Sequence, residues 1–189
     1  MMKNAIFFLL EDYADWQGAY LSTRLNMSKK WTIKTVSLKS TTCKSIGGFT
    51  TVIDYSLEEV PQNIDLFVLI GGDSWGMEDN DELNKLITFY LEKGIIVGAI
   101  CGAVDFLARN GHLNDYNHTG NSLDLLKQYK HYHNERNFFK EQSVADRNLI
   151  TANGFASIEF SENILKALKF KSPEKIEKEH ELLKKGLYG

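Results

Sequence analysis

Only two cysteines, Cys43 and Cys101, occur in the 189 residues, and they sit in unrelated surroundings. That leaves no disulfide framework, and the chain reads as a reduced, cytoplasmic protein. No apolar run approaches the roughly 18 residues that cross a bilayer. The first residues do not join a charged segment to a long apolar one as a secretory leader would, so no membrane partner is expected. Charge of one sign is missing too: 22 basic residues face 25 acidic ones, for a formal net charge of −3. Such a balance offers no basic footprint, and nucleic acid is not an expected partner. Repeats, low-complexity tracts and linkers are absent, which makes residues 1–189 one expected domain.

What is present is an alternation of short apolar runs and helical patterns. Ala5 to Leu10, Leu66 to Ile70 and Ile95 to Ile100 are apolar on both faces, as strands covered by helices on either side require. Trp31 to Leu38 alternates and belongs nearer a sheet edge. Trp16, Ala19, Tyr20 and Thr23 fall at helical spacing behind Asp15 as a candidate N-cap. Asp81 to Lys93 is the clearest helix, with Leu83, Leu86, Ile87, Tyr90 and Leu91 in one stripe, Asn80 or Asp81 as cap and Gly94 as closure. Further helices are expected over Ala103 to Asn110 and Ile158 to Leu168, the second entered through Ser157. The Gly47-Gly48 pair marks one hairpin and Asp146-Arg147-Asn148 a second. A charged helix at about 172–186 opens on Ser172 and Pro173. The sum is an α/β sandwich with a mostly parallel sheet.

Cys101 closes the strand Ile95 to Ile100 and directly precedes Gly102-Ala103. A thiol at such a strand-to-helix corner is pushed out at the carboxyl edge of the sheet, where the positive end of the helix dipole favours the thiolate. Gly71-Gly72 ends the neighbouring strand at the same edge. If the Gly72 and Gly102 amides point at one spot, they form an oxyanion hole. Glu11-Asp12 ends the first strand, and Asn117 to Asn121 lies where a further strand would return to this crevice.

These residues resemble the DJ-1/PfpI family of the class I glutamine amidotransferase-like superfamily. The resemblance rests on Glu11 to Ala19, Leu69-Ile70-Gly71-Gly72, Gly98 to Ala103, His118 to Asn121, and Thr151 to Gly154 leading into Ile158-Glu159-Phe160. It is closest to bacterial members labelled intracellular proteases or amidotransferase-like proteins. It implies a flavodoxin-like three-layer sandwich, a nucleophile elbow at Cys101, oxyanion amides at Gly72 and Gly102, and a homodimer. The family's glutamate against the cysteine sulfur falls on Gln17, which donates a hydrogen bond but cannot exchange a proton. Glu11 would supply a carboxylate if its loop came close. The downstream histidine position falls on Asn121. His118, three residues earlier, reaches Cys101 only if the segment bends at Gly120, and a place behind the site or at a subunit interface is the alternative.

Other apparent motifs carry less. His131 and His133 lack a third ligand, so no metal site is expected. Gly71-Gly72-Asp73 lacks the Lys-Ser/Thr ending of a phosphate loop, and no cofactor is expected. Trp16, Trp75 and Phe106 fit core packing more readily than a ligand pocket. Three functions remain. The first is a cysteine-dependent hydrolase or amidotransferase-like enzyme acting on a small carbonyl or amide substrate or a peptide, with His118 moving the proton. The second is a redox-responsive or stress-protective protein whose Cys101 is oxidised and held by Gln17. The third is a non-catalytic dimeric binding protein.

Overall fold

The computed structural model describes residues 2–38, 41–76 and 80–188. Three apolar runs become the centre of a seven-stranded sheet: β1 (Lys3–Phe8), β6 (Leu66–Leu69) and β7 (Ile96–Ile100). The strand order is β5-β2-β1-β6-β7-β9-β8, with β2 at Trp31–Ser37, β5 at Tyr55–Ser56, β8 at Ser143–Asp146 and β9 at Leu149–Ala152. Every neighbouring pair is parallel except β8 with β9, which form the hairpin around Arg147, a residue in the left-handed region at φ 51°. A separate two-stranded ribbon, β3 (Thr42–Lys44) with β4 (Thr50–Val52), is the Gly47-Gly48 hairpin.

Alternation along β1 explains the layers. Ile6 and Phe8 pack with α2 (Asp81–Glu92) and α3 (Gly102–Arg109) through Leu83, Ile87, Val104 and Leu107. Ala5 and Phe7 pack on the other face with α1 (Asp15–Met27), α5 (Ser157–Ala167) and α6 (Pro173–Lys185) through Leu21, Leu25, Phe160, Ile164 and Ile176. This is the flavodoxin-like three-layer α/β sandwich, and it sends the carboxyl ends of β1, β6, β7 and β9 to one edge. Asn80 caps α2 by accepting from the Leu83 N–H at 2.8 Å.

Three local expectations come out differently. The buried stripe of α1 is Gln17, Leu21 and Leu25, and the Trp16, Ala19, Tyr20, Thr23 face turns outward. A buried glutamine on the inward face hid the true register. Ala14, not Asp15, is the N-cap; the Asp15 carboxylate instead accepts from the Gly47 N–H at 2.8 Å. Residues 117–121 form no strand of the sheet. They make an isolated bridge, His118 with Phe138, and run into the four-residue α4 (Leu123–Leu126).

Burial of ionisable groups gives the fold a readable pH response. His112 lies between α3 and α2, its Nε2 2.6 Å from Asn84 Oδ1, and burial pushes its pKa down to about 4. The unfolded chain binds that proton more tightly, near pH 6.5, so this contribution is complete above about pH 6.5 and is lost as pH falls toward 4. Asp105 runs in the opposite sense: burial raises it to about 6 against the pull of Arg109, so the folded chain gains stability as its carboxyl is protonated. The two enter the measured slope with opposite signs, alongside other shifted groups such as His118 and His180. His112→Gln removes one of them, and denaturant melts at pH 7 and 4.5 are expected to show the variant losing less stability on acidification, by up to about 3 kcal/mol. Equal losses in variant and parent would refute the assignment.

Candidate functional site

The backbone of Cys101 is held at φ 60° and ψ −130°, between a strand and the first turn of α3. Its N–H donates to Ala152 O at 3.0 Å and its carbonyl accepts from the Val104 N–H at 2.9 Å, so the strained corner is pinned on both sides. The side chain is half-buried and looks into an open cleft of about 970 Å³. Trp16, Phe138 and Phe155 supply apolar wall to that cleft, and Asn121, Lys140 and Gln142 supply polar wall. Phe155 is 94% exposed beside the thiol. Trp75 and Phe106, by contrast, are buried and meet edge to face with ring centroids 5.6 Å apart, which is core packing.

Two backbone turns close on the cysteine. A β-carbon on Gly71 would lie 2.5 Å from Cys101 Cβ, and one on Gly154 would lie 2.9 Å from Cys101 Sγ. The Gly71 carbonyl accepts from the Ala14 N–H at 2.9 Å. All peptides described are trans, so the Gly72 N–H of the same unit points to the opposite side. Gly102 is the first residue of α3, so its N–H has no carbonyl a turn behind it. Neither N–H has a hydrogen-bond partner among the described residues.

Asn121 contacts the sulfur, its Nδ2 donating to Sγ at 3.3 Å while its Oδ1 accepts from the Gly154 N–H at 2.8 Å. The sequence places the Asn117 to Asn121 segment at this crevice, and Asn121 at the family's downstream histidine position, without giving Asn121 a role. Gln17, 1% exposed, spans the two turns: Oε1 accepts from the Gly71 N–H at 2.9 Å and Nε2 donates to Gly154 O at 3.3 Å. Trp16 Nε1 donates to the same carbonyl at 3.2 Å.

His118 and Glu11 are not brought to the thiol. His118 is fully buried, with Nδ1 2.9 Å from Tyr116 O and Nε2 2.8 Å from the Tyr132 hydroxyl, and burial holds its pKa below the ordinary histidine value. The segment does not bend at Gly120 to redirect it; Asn121 faces the cleft and His118 the protein interior. Glu11 is exposed and accepts from the Lys44 N–H at 3.0 Å, where it ties the β3 end to the first loop. No cluster of three or more metal-binding side chains exists among the described residues. No helix among them is long and apolar enough to cross a membrane.

Comparison with known proteins bears on the family and the fold. The family model described as the DJ-1/PfpI family matches residues 3–167. A Bacillus subtilis protein named uncharacterized protease YdeA is 48% identical over 187 residues, covering 99% of this chain and 94% of its own. A thiJ/pfpI family protein from Bacillus anthracis superposes with a TM-score of 0.91 at 30% identity, over 98% of this chain and 92% of that one. A DJ-1 superfamily protein from Agrobacterium tumefaciens does so with a TM-score of 0.88 at 30% identity, over 96% and 97%. The family match over residues 3–167, with a fold shared across almost the whole length of these proteins, places the chain in the DJ-1/PfpI family.

Proposed function

We propose that this chain is a cysteine-dependent enzyme of the hydrolase or amidotransferase-like type, in which Cys101 adds to the carbonyl carbon of a small molecule or peptide. The observation that carries the reading is the pinned φ 60° of Cys101 at the N-terminus of α3, with Asn121 donating to its sulfur. In that step the thiol proton goes to water, the sulfur–carbon bond forms and the carbonyl π pair moves to oxygen; return of that pair breaks the bond to the leaving group, and water then cleaves the acyl-enzyme. The unpartnered N–H groups of Gly72 and Gly102 are the donors suited to that charge. Neither His118 nor Glu11 has a part in it. With amides rather than an acid around the sulfur, a leaving group that departs without taking a proton, such as the thiolate of a thioester, suits the site better than an amine. An aldehyde would be held as a hemithioacetal, its oxyanion taking a proton from water, with no leaving group to expel. The similarity to a protein named as a protease supports hydrolysis and leaves the bond cleaved open.

The test is alkylation. Iodoacetamide at pH 7, read by peptide mass spectrometry, is expected to label Cys101 at least about tenfold faster than a free cysteine in solution. Cys43, 0% exposed with its thiol against Leu9 O and Ser37 Oγ, is expected to stay unlabelled. A Cys101 no faster than the free thiol would remove the basis of this reading.

Asn121 favours one further reading, oxidation, because a fixed N–H donor beside the sulfur also suits a bound oxygen, and oxygen transfer from a peroxide with release of water needs no histidine. Mild peroxide would then leave sulfinate on Cys101 and not on Cys43. The homodimer belongs to the same proposal. The outward face of α1, with Trp16 at 45%, and the outer face of α6, with Leu182 at 51%, offer apolar surface for a second copy, and sedimentation equilibrium decides.

A further inference from the structure

The family-style glutamate position holds Gln17, and its two amide ends are both engaged, neither on the sulfur. Oε1 takes the Gly71 N–H and Nε2 serves the Gly154 carbonyl. Those two glycines are the walls of the nucleophile, since a β-carbon on either would collide with Cys101. The bridge therefore joins the turn after β6 to the turn after β9 directly across the cysteine. One end must accept and the other must donate. A carboxylate satisfies the first demand and fails the second, because it presents only acceptors to the Gly154 oxygen.

We propose that Gln17 is a positioning residue that acts on Cys101 through the backbone of Gly71 and Gly154, fixing both walls of the nucleophile in one arrangement that does not depend on pH. The proposal rests on the reading of Cys101 as the reactive thiol. Asn121 completes the clamp from the other side, accepting from the Gly154 N–H. The groups that could disturb it are few. Cys101 faces Gln17 from the β7–α3 corner. On the α1 side, Asp15 turns to the Gly47 N–H and Glu11 to the Lys44 N–H. Asp12 and Asp73 flank Gly72 in the adjoining turns, where the Asp73 N–H donates to Asp12 O. Asp124, Lys140 and Glu141 line the outer part of the cleft. Gln17 itself has no proton to exchange, so the bridge keeps the same acceptor and donor at every pH.

Two variants test this with iodoacetamide across pH 5 to 9. Gln17→Met keeps the length and loses both hydrogen bonds. It is expected to lower the Cys101 rate about tenfold at every pH without changing the shape of the curve, because both walls are released. Hydrogen exchange at the Gly71 amide should quicken in the same variant. Gln17→Glu keeps an acceptor for Gly71, and its protonated form also keeps a donor for Gly154. Its rate is expected to match the parent within about twofold at the acid end, then to fall about tenfold behind the parent as the new carboxyl ionises. Loosening of residues 153–155 in hydrogen exchange should appear only on the alkaline side, which charge repulsion on the thiolate alone would not cause. If Gln17→Met fails to fold, the acid-side recovery and alkaline loosening of Gln17→Glu decide alone. A Gln17→Met protein with the parent's rates and Gly71 exchange, or a Gln17→Glu protein with no change at residues 153–155, would overturn the proposal. A parent thiol with no enhanced reactivity would instead sink the reading of Cys101 and leave the exchange results to judge the clamp.

Discussion

Gly72→Ala is expected to lower the melting temperature by about 10 °C and to remove any enhanced reactivity of Cys101 in the protein that still folds. Two independent costs coincide at this residue. Its φ is +157°, a conformation L side chains rarely adopt, and a β-carbon there would overlap the carbonyl oxygen of Asp12 and lie 2.7 Å from Tyr13 Cα. Both obstacles are backbone, so no side chain can swing aside. Backbone strain and overpacking, at about 1–3 kcal/mol each, sum to about 2–6 kcal/mol, and a value near the middle of that range gives the expected shift. Escape is blocked by the surroundings: Tyr13 pairs with Gly72, and the Gly71 N–H is held by Gln17. Gly94→Ala is the natural control. It also has positive φ, at +71°, but open space around it, and should cost about 1 kcal/mol. Scanning calorimetry on the two variants separates the contributions. A Gly72→Ala protein melting within about 2 °C of the parent would mean that the turn can shift, and the oxyanion assignment of its N–H would fall with it.

The same neighbourhood shows what could be read without coordinates. Residues apolar on both faces, as in Leu66 to Leu69, have one home in an α/β fold, between two helical layers, and the sheet centre follows from them. The elbow was legible because a strand, a cysteine, a glycine and a helix in that order admit few geometries. The clamp was not. A pattern reading assigns polar residues to the surface, so it turned α1 outside in and placed Trp16 and Tyr20 where Gln17 and Leu21 lie. Gln17 is buried because two backbone groups without other partners need it, a fact set by Gly71 and Gly154, which are 54 and 137 residues away along the chain. For His118 the alternation argument put it on the face opposite Asn121. Its ring ends among Tyr116, Tyr132 and Phe138, a set of partners that exists only once residues 129–138 fold over the 117–121 segment.

The strain at Cys101 predicts an inversion of a familiar order. Alanine ordinarily outstabilises glycine, because glycine loses more backbone freedom on folding, by about 0.5–1 kcal/mol. At φ 60° and ψ −130° a β-carbon is itself the problem, at a cost of about 1–3 kcal/mol, and the corner cannot relax because its N–H and carbonyl are bonded to Ala152 and Val104. Both substitutions delete the sulfur and its contact with Asn121, so their difference isolates the strain. Cys101→Gly is therefore expected to be more stable than Cys101→Ala by about 1 kcal/mol, or about 2–4 °C in melting temperature. The reverse order would mean that the corner is unstrained. Neither variant should retain reactivity, and Cys101→Ser should not rescue it. A hydroxyl needs a base to become a nucleophile, whereas Asn121 offers the sulfur an N–H donor and both nitrogens of His118 are engaged elsewhere. Loss of turnover in the serine variant should reach about a thousandfold or more once a substrate is in hand. The corner holds the thiol at the cleft at a cost in stability, and the glycine variant measures that cost directly.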